Sequence, residues 1–253
     1  MSDVLPLKNG ITYGPVNSRR LGRSLGINLL PPGRKWCTFD CLYCQYDWTP
    51  PPERSDPSAG VPSPEDVERS VAAALMTLDP PPAYLTFSGN GEPTLHPRFS
   101  EIVEIIRRLR DRLAPRAKVA LLSNAAGIVS PAVRSAVGRI EHPILKLDAG
   151  NEDVFLSYNR PIPGIAYDRI VRGLKETSGI MIQTLFTAGP KGNLREPHLG
   201  DWIERIREIR PVDVQIYTLA RPVPSPDIAP APPAGLLDIR DRLRREGLSA
   251  LVF

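Results

Sequence analysis

Lys35-Trp36-Cys37-Thr38-Phe39-Asp40-Cys41-Leu42-Tyr43-Cys44-Gln45 holds every cysteine of the chain, at the spacing C-x3-C-x2-C. Cysteine thiolates are the usual ligands of iron–sulfur clusters, and three on one loop can hold three corners of a four-iron cube. One iron is then left without a ligand from the protein. An open metal position beside a protein cage is where substrate chemistry takes place, as in catalytic zinc sites. Two other readings use the same residues. Zinc could take the three thiolates with Asp40 or a water as fourth ligand, or the cysteines could be small buried apolar side chains.

Around this loop the chain alternates strand and helix. Leu25 to Leu30 reads as a first strand that runs into the cysteine loop, after a turn-rich stretch over 1–24 with no strong period. Residues 47–62, rich in Pro, Ser and Asp, read as a loop or lid. Ser63-Pro64-Glu65-Asp66 is a helix start, with Ser63 as cap and Pro64 at the first helical position. Further strands are expected at 84–88, 119–123, 144–148, 180–186 and 213–219. Helical patterns fall between them, as in Phe99 to Leu113, and a last helix at 236–245 precedes a short strand at 248–253. Such alternation predicts an α/β fold with a parallel sheet. Periodicity does not separate a barrel from an open sheet. A length of 253 residues suits one α/β barrel domain, with 1–24 as an extension and 25–253 as the barrel.

Composition narrows the classes. Charged residues make up 24% and hydrophobic ones 42%, as in globular proteins. The start, Met1-Ser2-Asp3-Val4-Leu5-Pro6, lacks a basic flank followed by an apolar run, and no apolar stretch is long enough to span a membrane. The expected compartment is the cytosol, where reduced thiols favour metal binding over disulfides. With 32 basic and 28 acidic residues the charge is nearly balanced. The arginine runs at 107–116 and 240–245 are interleaved with acids, which reads as solvated helix faces rather than a nucleic-acid patch.

In parallel α/β folds the functional residues gather at the carboxyl ends of strands. The second strand ends in Ser88-Gly89-Asn90-Gly91-Glu92-Pro93, where two glycines let a ligand approach the backbone and Glu92 adds a carboxylate. The third ends in Ser123-Asn124 and the fourth in Asp148, a carboxylate able to accept two bonds from a vicinal diol. Arg160 follows, suited to pair with a carboxylate. Gln183 lies within the fifth strand, where a buried amide needs partners, and Gln215 and Tyr217 share a face of the sixth. Arg19 and Arg20, ahead of the first strand, are candidates for an anionic substrate, with Tyr217 as a further contact. Each of these residues also has a plain structural reading as a turn, cap or core group.

C-x3-C-x-Φ-C, with Tyr43 before the last cysteine, resembles the signature of the radical S-adenosylmethionine (SAM) family. The resemblance runs through nearly the whole chain. It implies an open (β/α)6 TIM-like barrel. It also implies a 4Fe–4S cluster on Cys37, Cys41 and Cys44, with SAM on the open iron and reductive cleavage to methionine and a 5′-deoxyadenosyl radical that abstracts hydrogen. Tyr43 would lie near the adenine. Gly89, Asn90, Gly91 and Glu92 are similar to the family's Gly-Gly-Glu-Pro motif at the SAM amino group, with Asn90 in place of a glycine. Ser123 and Asn124 would meet the SAM carboxylate or ribose, Asp148 the ribose, Arg160 the carboxylate, and Gln183 the cofactor. The electron donor would be reduced flavodoxin or ferredoxin.

The segment Tyr13 to Ile27, together with Asn159-Arg160-Pro161 and Val214 to Tyr217, resembles the branch related to wyosine-forming tRNA enzymes. Those enzymes carry a second cluster on additional cysteines, whereas here all three lie in one motif. The expected function is therefore a single-cluster radical SAM enzyme acting on an anionic substrate. The alternatives are a wyosine-like tRNA modification, and a metal-binding or redox-sensing barrel without catalysis. Whether the substrate is a small molecule or RNA stays open at this level, and no membrane partner is expected.

Overall fold

The computed structural model describes residues 5–49 and 60–253. Its central element is an eight-stranded sheet in the order β1-β2-β3-β4-β5-β6-β8-β10. β1 (Thr12–Ser18) and β2 (Gly22–Ile27) form an antiparallel hairpin. From β2 onward every pairing is parallel: β3 (Tyr84–Phe87), β4 (Lys118–Ser123), β5 (His142–Lys146), β6 (Met181–Leu185), β8 (Asp213–Tyr217) and β10 (Ala250–Val252). β7 (Thr187–Ala188) and β9 (Ala229–Pro230) make a small ladder outside this sheet.

The helices are α1 (Pro64–Thr77), α2 (Phe99–Leu113), α3 (Pro131–Val137), α4 (Glu152–Val154), α5 (Tyr167–Lys175), α6 (His198–Ile209) and α7 (Pro233–Arg245). A π-helical turn, Phe155–Asn159, continues α4. Ser63 caps α1 as its sequence predicts, its Oγ accepting the Asp66 N–H at 3.1 Å.

Two expectations need correction. The stretch before residue 25 contains a strand, and the first barrel strand is Gly22–Ile27 rather than 25–30. A register shift between Tyr13 and Val16 interrupts the two-residue alternation, so β1 shows no period in sequence. Leu29 and Leu30 are apolar and buried, but Asn28 turns the chain out of the sheet by donating to the Leu30 carbonyl at 2.8 Å. Of the expected lid at 47–62, residues 50–59 lie outside the described residues.

Strand alternation sorts the sheet into two faces. One carries Leu25, Ile27, Leu85, Phe87, Val119, Leu121, Leu145, Ile182, Val214 and Ile216 against the helices, and these belong to the main core. The inner face is more polar. Ser24 and Thr86 bond each other across it at 2.6 Å, and Gln183 donates to Gln215 at 2.9 Å. A small apolar cluster of Leu21, Tyr84, Ala120, Leu122, Ile144 and Met181 fills its lower part. Leu21 comes from the β1–β2 turn, so the hairpin tip is tucked against the inner face.

Candidate active site

The cysteine loop leaves β2 and is stitched to the sheet on two sides. On one, Trp36 N–H donates to the Asn90 carbonyl at 2.8 Å and Glu92 N–H to the Trp36 carbonyl at 2.9 Å. Gly91 sits at this crossing with φ +141°, and a Cβ there would come within 1.6 Å of the Trp36 oxygen, so only glycine fits. On the other side, Asp40 N–H and Leu42 N–H donate to the carbonyls of Asn159 and Tyr158 at 3.0 Å each, and Ile162 N–H donates to Thr38 at 2.9 Å. The ends of β2 and β3 and the π-turn after β5 thereby hold one loop.

The three thiols are free and half-buried. Burial pushes the Cys41 thiol up to about 12 and raises Cys37 further. N–H donors already point at the sulfurs: Phe39 N–H and Asn124 Nδ2 to Cys37 at 3.5 Å, and Asn159 Nδ2 to Cys41 at 3.4 Å. The buried Lys35 ammonium lies beside Cys44 and Cys37, 3.8 Å from Asp40 Oδ1. Hydrogen bonds and a cation around sulfur are what a thiolate-bound cluster requires of its surroundings, and metal binding displaces the thiol protons. Among the described residues no three His, Cys, Asp or Glu side chains converge as ligands of one ion. In a four-iron cube each of three such thiolates binds its own iron.

Glu92 is buried at the end of β3. Its Oε1 accepts from Thr94 N–H at 3.0 Å, Thr94 Oγ1 at 2.7 Å and Ser123 Oγ at 2.8 Å, and its Oε2 from Asn124 N–H at 2.6 Å. The carboxylate thus fastens the turn after β3 to the end of β4. Burial raises its pKa while these donors oppose the shift. Asn90, fully buried, bonds away from the cysteines: Oδ1 accepts Lys8 N–H at 2.7 Å, and Nδ2 donates to the carbonyls of Lys8 at 2.8 Å and Pro31 at 3.1 Å. Asn28 Oδ1 accepts the Asn90 N–H at 3.0 Å, and its side chain occupies the space a Cβ at Gly89 would need.

Asp148 is the hub of the deeper part. Oδ2 accepts from Tyr43 OH and, at 2.8 Å, from Asn159 Nδ2; Oδ1 accepts Leu185 N–H at 3.0 Å and lies 3.6 Å from Lys146 Nζ. Tyr43, Asn124, Asp148, Asn159, Phe39 and Phe155 line one cleft beside the cysteines. Lys146, at the end of β5, donates to Tyr217 OH at 2.8 Å, with Nζ 4.5 Å from the Tyr43 ring centroid. Burial alone would lower its pKa, but Asp148 and Tyr217 outweigh that, so it is raised and the ammonium is retained. The guanidinium of Arg20 lies 4.6 Å over the Tyr217 ring.

The structure therefore gathers Tyr43, Asn124 and Asp148 at the cysteine loop, with Ser123 and Glu92 directly behind. Arg160 is at the rim, 4.8 Å over the Trp48 ring. Gln183 is on the inner face, bonded to Gln215, and Arg20 and Tyr217 meet within the barrel while Arg19 is exposed. The sequence alone does not single out Asn28 or Lys146, and it marks Asn159 only as part of the Asn159-Arg160-Pro161 motif, with no role of its own. Lys146 was open to discovery, as a charged residue on an inward strand position; Asn28 and Asn159 act through contacts that no local pattern records.

A thiol trio at the carboxyl end of a mostly parallel barrel sheet, stitched to a Gly-x-Gly-Glu turn, defines an enzyme of the radical SAM type. The superfamily model matches residues 34–213, and the chain belongs to the radical SAM superfamily, whose members use a 4Fe–4S cluster and SAM and need a reductant. It is similar to a UPF0026 protein of Methanocaldococcus jannaschii, 36% identical over 65% of this chain and 48% of that protein. A UPF0026 protein of Synechocystis is 32% identical over 84% of this chain and 76% of its own length. The chain thus spans about half of the archaeal relative. Among solved structures, TYW1 with a lysine-pyruvate adduct bound shares the fold, with a TM-score of 0.59 at 18% identity over 88% of this chain and 73% of that one. No described helix is long and apolar enough to cross a membrane.

Proposed function

We propose that this chain is a single-cluster radical SAM enzyme whose substrate is anionic. Cys37, Cys41 and Cys44 would hold the cluster. Bound together, cluster and SAM supply reductive cleavage and a 5′-deoxyadenosyl radical for hydrogen abstraction. The observation that carries this reading is the double stitching of the cysteine loop to Gly91 and to Asn159–Ile162. It sets Asn124 Nδ2 3.5 Å from the Cys37 sulfur and Asn159 Nδ2 3.4 Å from that of Cys41, and Asn124, Asp148 and Asn159 line one cleft next to them.

Beside the thiols Tyr43 would flank the adenine and Asn124 would meet the carboxylate or ribose, while Asp148, its two oxygens engaged by Tyr43, Asn159, Leu185 and Lys146, would hold Tyr43 and Asn159 in place. Gly89 and Gly91 would let the SAM amino group approach the backbone. Ser123 and Glu92 would act from behind by holding Asn124. Arg160 would close the rim over the SAM carboxylate. The side chains of Asn90 and Gln183 have partners elsewhere, so their part is to shape the turn and the inner face. Arg19, Arg20 and Tyr217 face the substrate in this reading.

The test is anaerobic reconstitution followed by reduction with dithionite, flavodoxin or ferredoxin. About four iron and four sulfide per chain are expected, with slow release of 5′-deoxyadenosine and methionine. Alanine at any of the three cysteines should abolish both. Stoichiometric zinc in place of a cluster would sink the idea.

Likeness to TYW1 in fold favours a second reading, modification of tRNA. The lack of cysteines for a second cluster weighs against the same condensation.

A further inference from the structure

Arg20 and Lys146 border the same phenol ring. Their cationic centres lie 4.6 Å and 5.1 Å from the Tyr217 centroid, and they reach it from opposite parts of the chain, the β1–β2 turn and the end of β5. Lys146 is partly balanced by Asp148 at 3.6 Å. Arg20 has no carboxylate partner among the described residues, although it is only partly exposed. Two cations against one buried carboxylate leave an excess of positive charge facing inward. Below them Leu21, Ile144 and Met181 form an apolar floor, which excludes water and strengthens charge interactions above it. On the far side, Tyr43 joins this pair to the cysteine loop through Lys146 and Asp148.

We propose that Arg20, Lys146 and Tyr217 form an anion seat inside the barrel that takes the terminal carboxylate or phosphate of a small-molecule substrate. This rests on the single-cluster reading above and adds where, and by what group, the substrate is held. The Arg20 fork receives two oxygens of the anion, and its stacking on Tyr217 fixes the plane of the fork. Lys146 contributes a point charge from the side.

The outer surface favours a small ligand over a nucleic acid. Several of its arginines are paired, Arg98 with Glu101 at 2.6 Å, Arg205 with Glu208 at 2.7 Å, Arg207 with Glu204 at 2.8 Å and Arg242 with Glu196 at 2.7 Å, while others, such as Arg108, Arg112 and Arg116, are exposed without an ion pair among the described residues. Acids are interleaved with these arginines and the totals, 32 basic and 28 acidic residues, nearly balance, which weighs against a phosphate backbone as partner.

The experiment uses the reconstituted, SAM-loaded protein. Inorganic phosphate and acetate are titrated separately by calorimetry at millimolar concentration, with acetamide as the uncharged control. One phosphate or acetate per chain should bind and acetamide should not. Stronger binding of phosphate or of acetate decides which anion the seat prefers. Arg20→Gln and Lys146→Met should each weaken the anion about tenfold or more. Arg20→Lys should restore part of the loss, and Arg116→Gln, on the exposed surface, should change nothing. Iron content and the spectral response to SAM are read on the same samples. If these are normal and the wild-type protein binds neither anion, or Arg20→Gln and Lys146→Met bind as the wild type does, the seat is overturned while the enzyme reading stands. Loss of cluster or SAM response in the wild type itself would remove the enzyme reading instead. Tight binding of unmodified tRNA, with a steep salt dependence lost in Arg20→Gln, would overturn the small-molecule assignment.

Discussion

The backbone N–H of Asn124 donates to Oε2 of Glu92 at 2.6 Å, and through it the turn after β3 dictates where the end of β4 presents the Asn124 side chain to Cys37. A carboxylate that looks from sequence like a ligand for SAM is bonded four times within the chain. Glu92→Gln keeps the size but supplies two N–H donors where only acceptors fit. It should cost about 3 kcal/mol. At this chain length that lowers Tm by roughly 6–12 °C, measured by thermal unfolding of the cluster-free protein. An unchanged Tm would show that Glu92 is free to bind a ligand.

Asn90 stands where the family motif has glycine, and its three side-chain bonds clamp Lys8 and Pro31. Asn90→Gly should therefore cost about 2 kcal/mol of stability. The spectral response of the reconstituted protein to SAM should stay as in the wild type, which separates a clasp from a ligand.

Lys35 is the one buried ammonium within the cysteine motif, beside Cys44 and Cys37. A nearby positive charge stabilises the reduced cluster. Lys35→Met should move the midpoint potential more negative, on the order of tens of millivolts after the offset from Asp40, while Lys35→Arg should stay near the wild type. Redox titration followed by electron paramagnetic resonance measures this.

His96 closes the turn after Glu92. Its Nε2–H donates to the Pro62 carbonyl at 2.9 Å and Nδ1 accepts Arg98 N–H at 3.1 Å, so the neutral ring is the one that fits. Burial lowers its pKa from 6.5. Between the ordinary and lowered values the unfolded chain binds more protons, so His96 costs stability as pH falls below about 6.5. The Tm advantage of the wild type over His96→Gln should shrink over that range. An advantage that grows on acidification would contradict the assignment.

The sequence by itself determined the six βα units, because each buries one apolar stripe and the stripe repeats with the period of its element. Phe99 to Leu113 and Tyr167 to Lys175 are helices with those bounds for that reason. It also fixed the cysteine trio and the glycines of the turn, since thiolate spacing and positive φ are local properties. Only the tertiary structure decided what the polar residues do. Glu92, Asn90 and Gln183 look alike as candidate ligands in sequence, yet each finds its partners in segments distant along the chain or on a neighbouring strand. Lys146 gains its place from the inward register of β5, and Arg20 from a hairpin whose bulge hides the strand period. A buried polar group is defined by who satisfies it, and that depends on contacts formed only when the sheet closes.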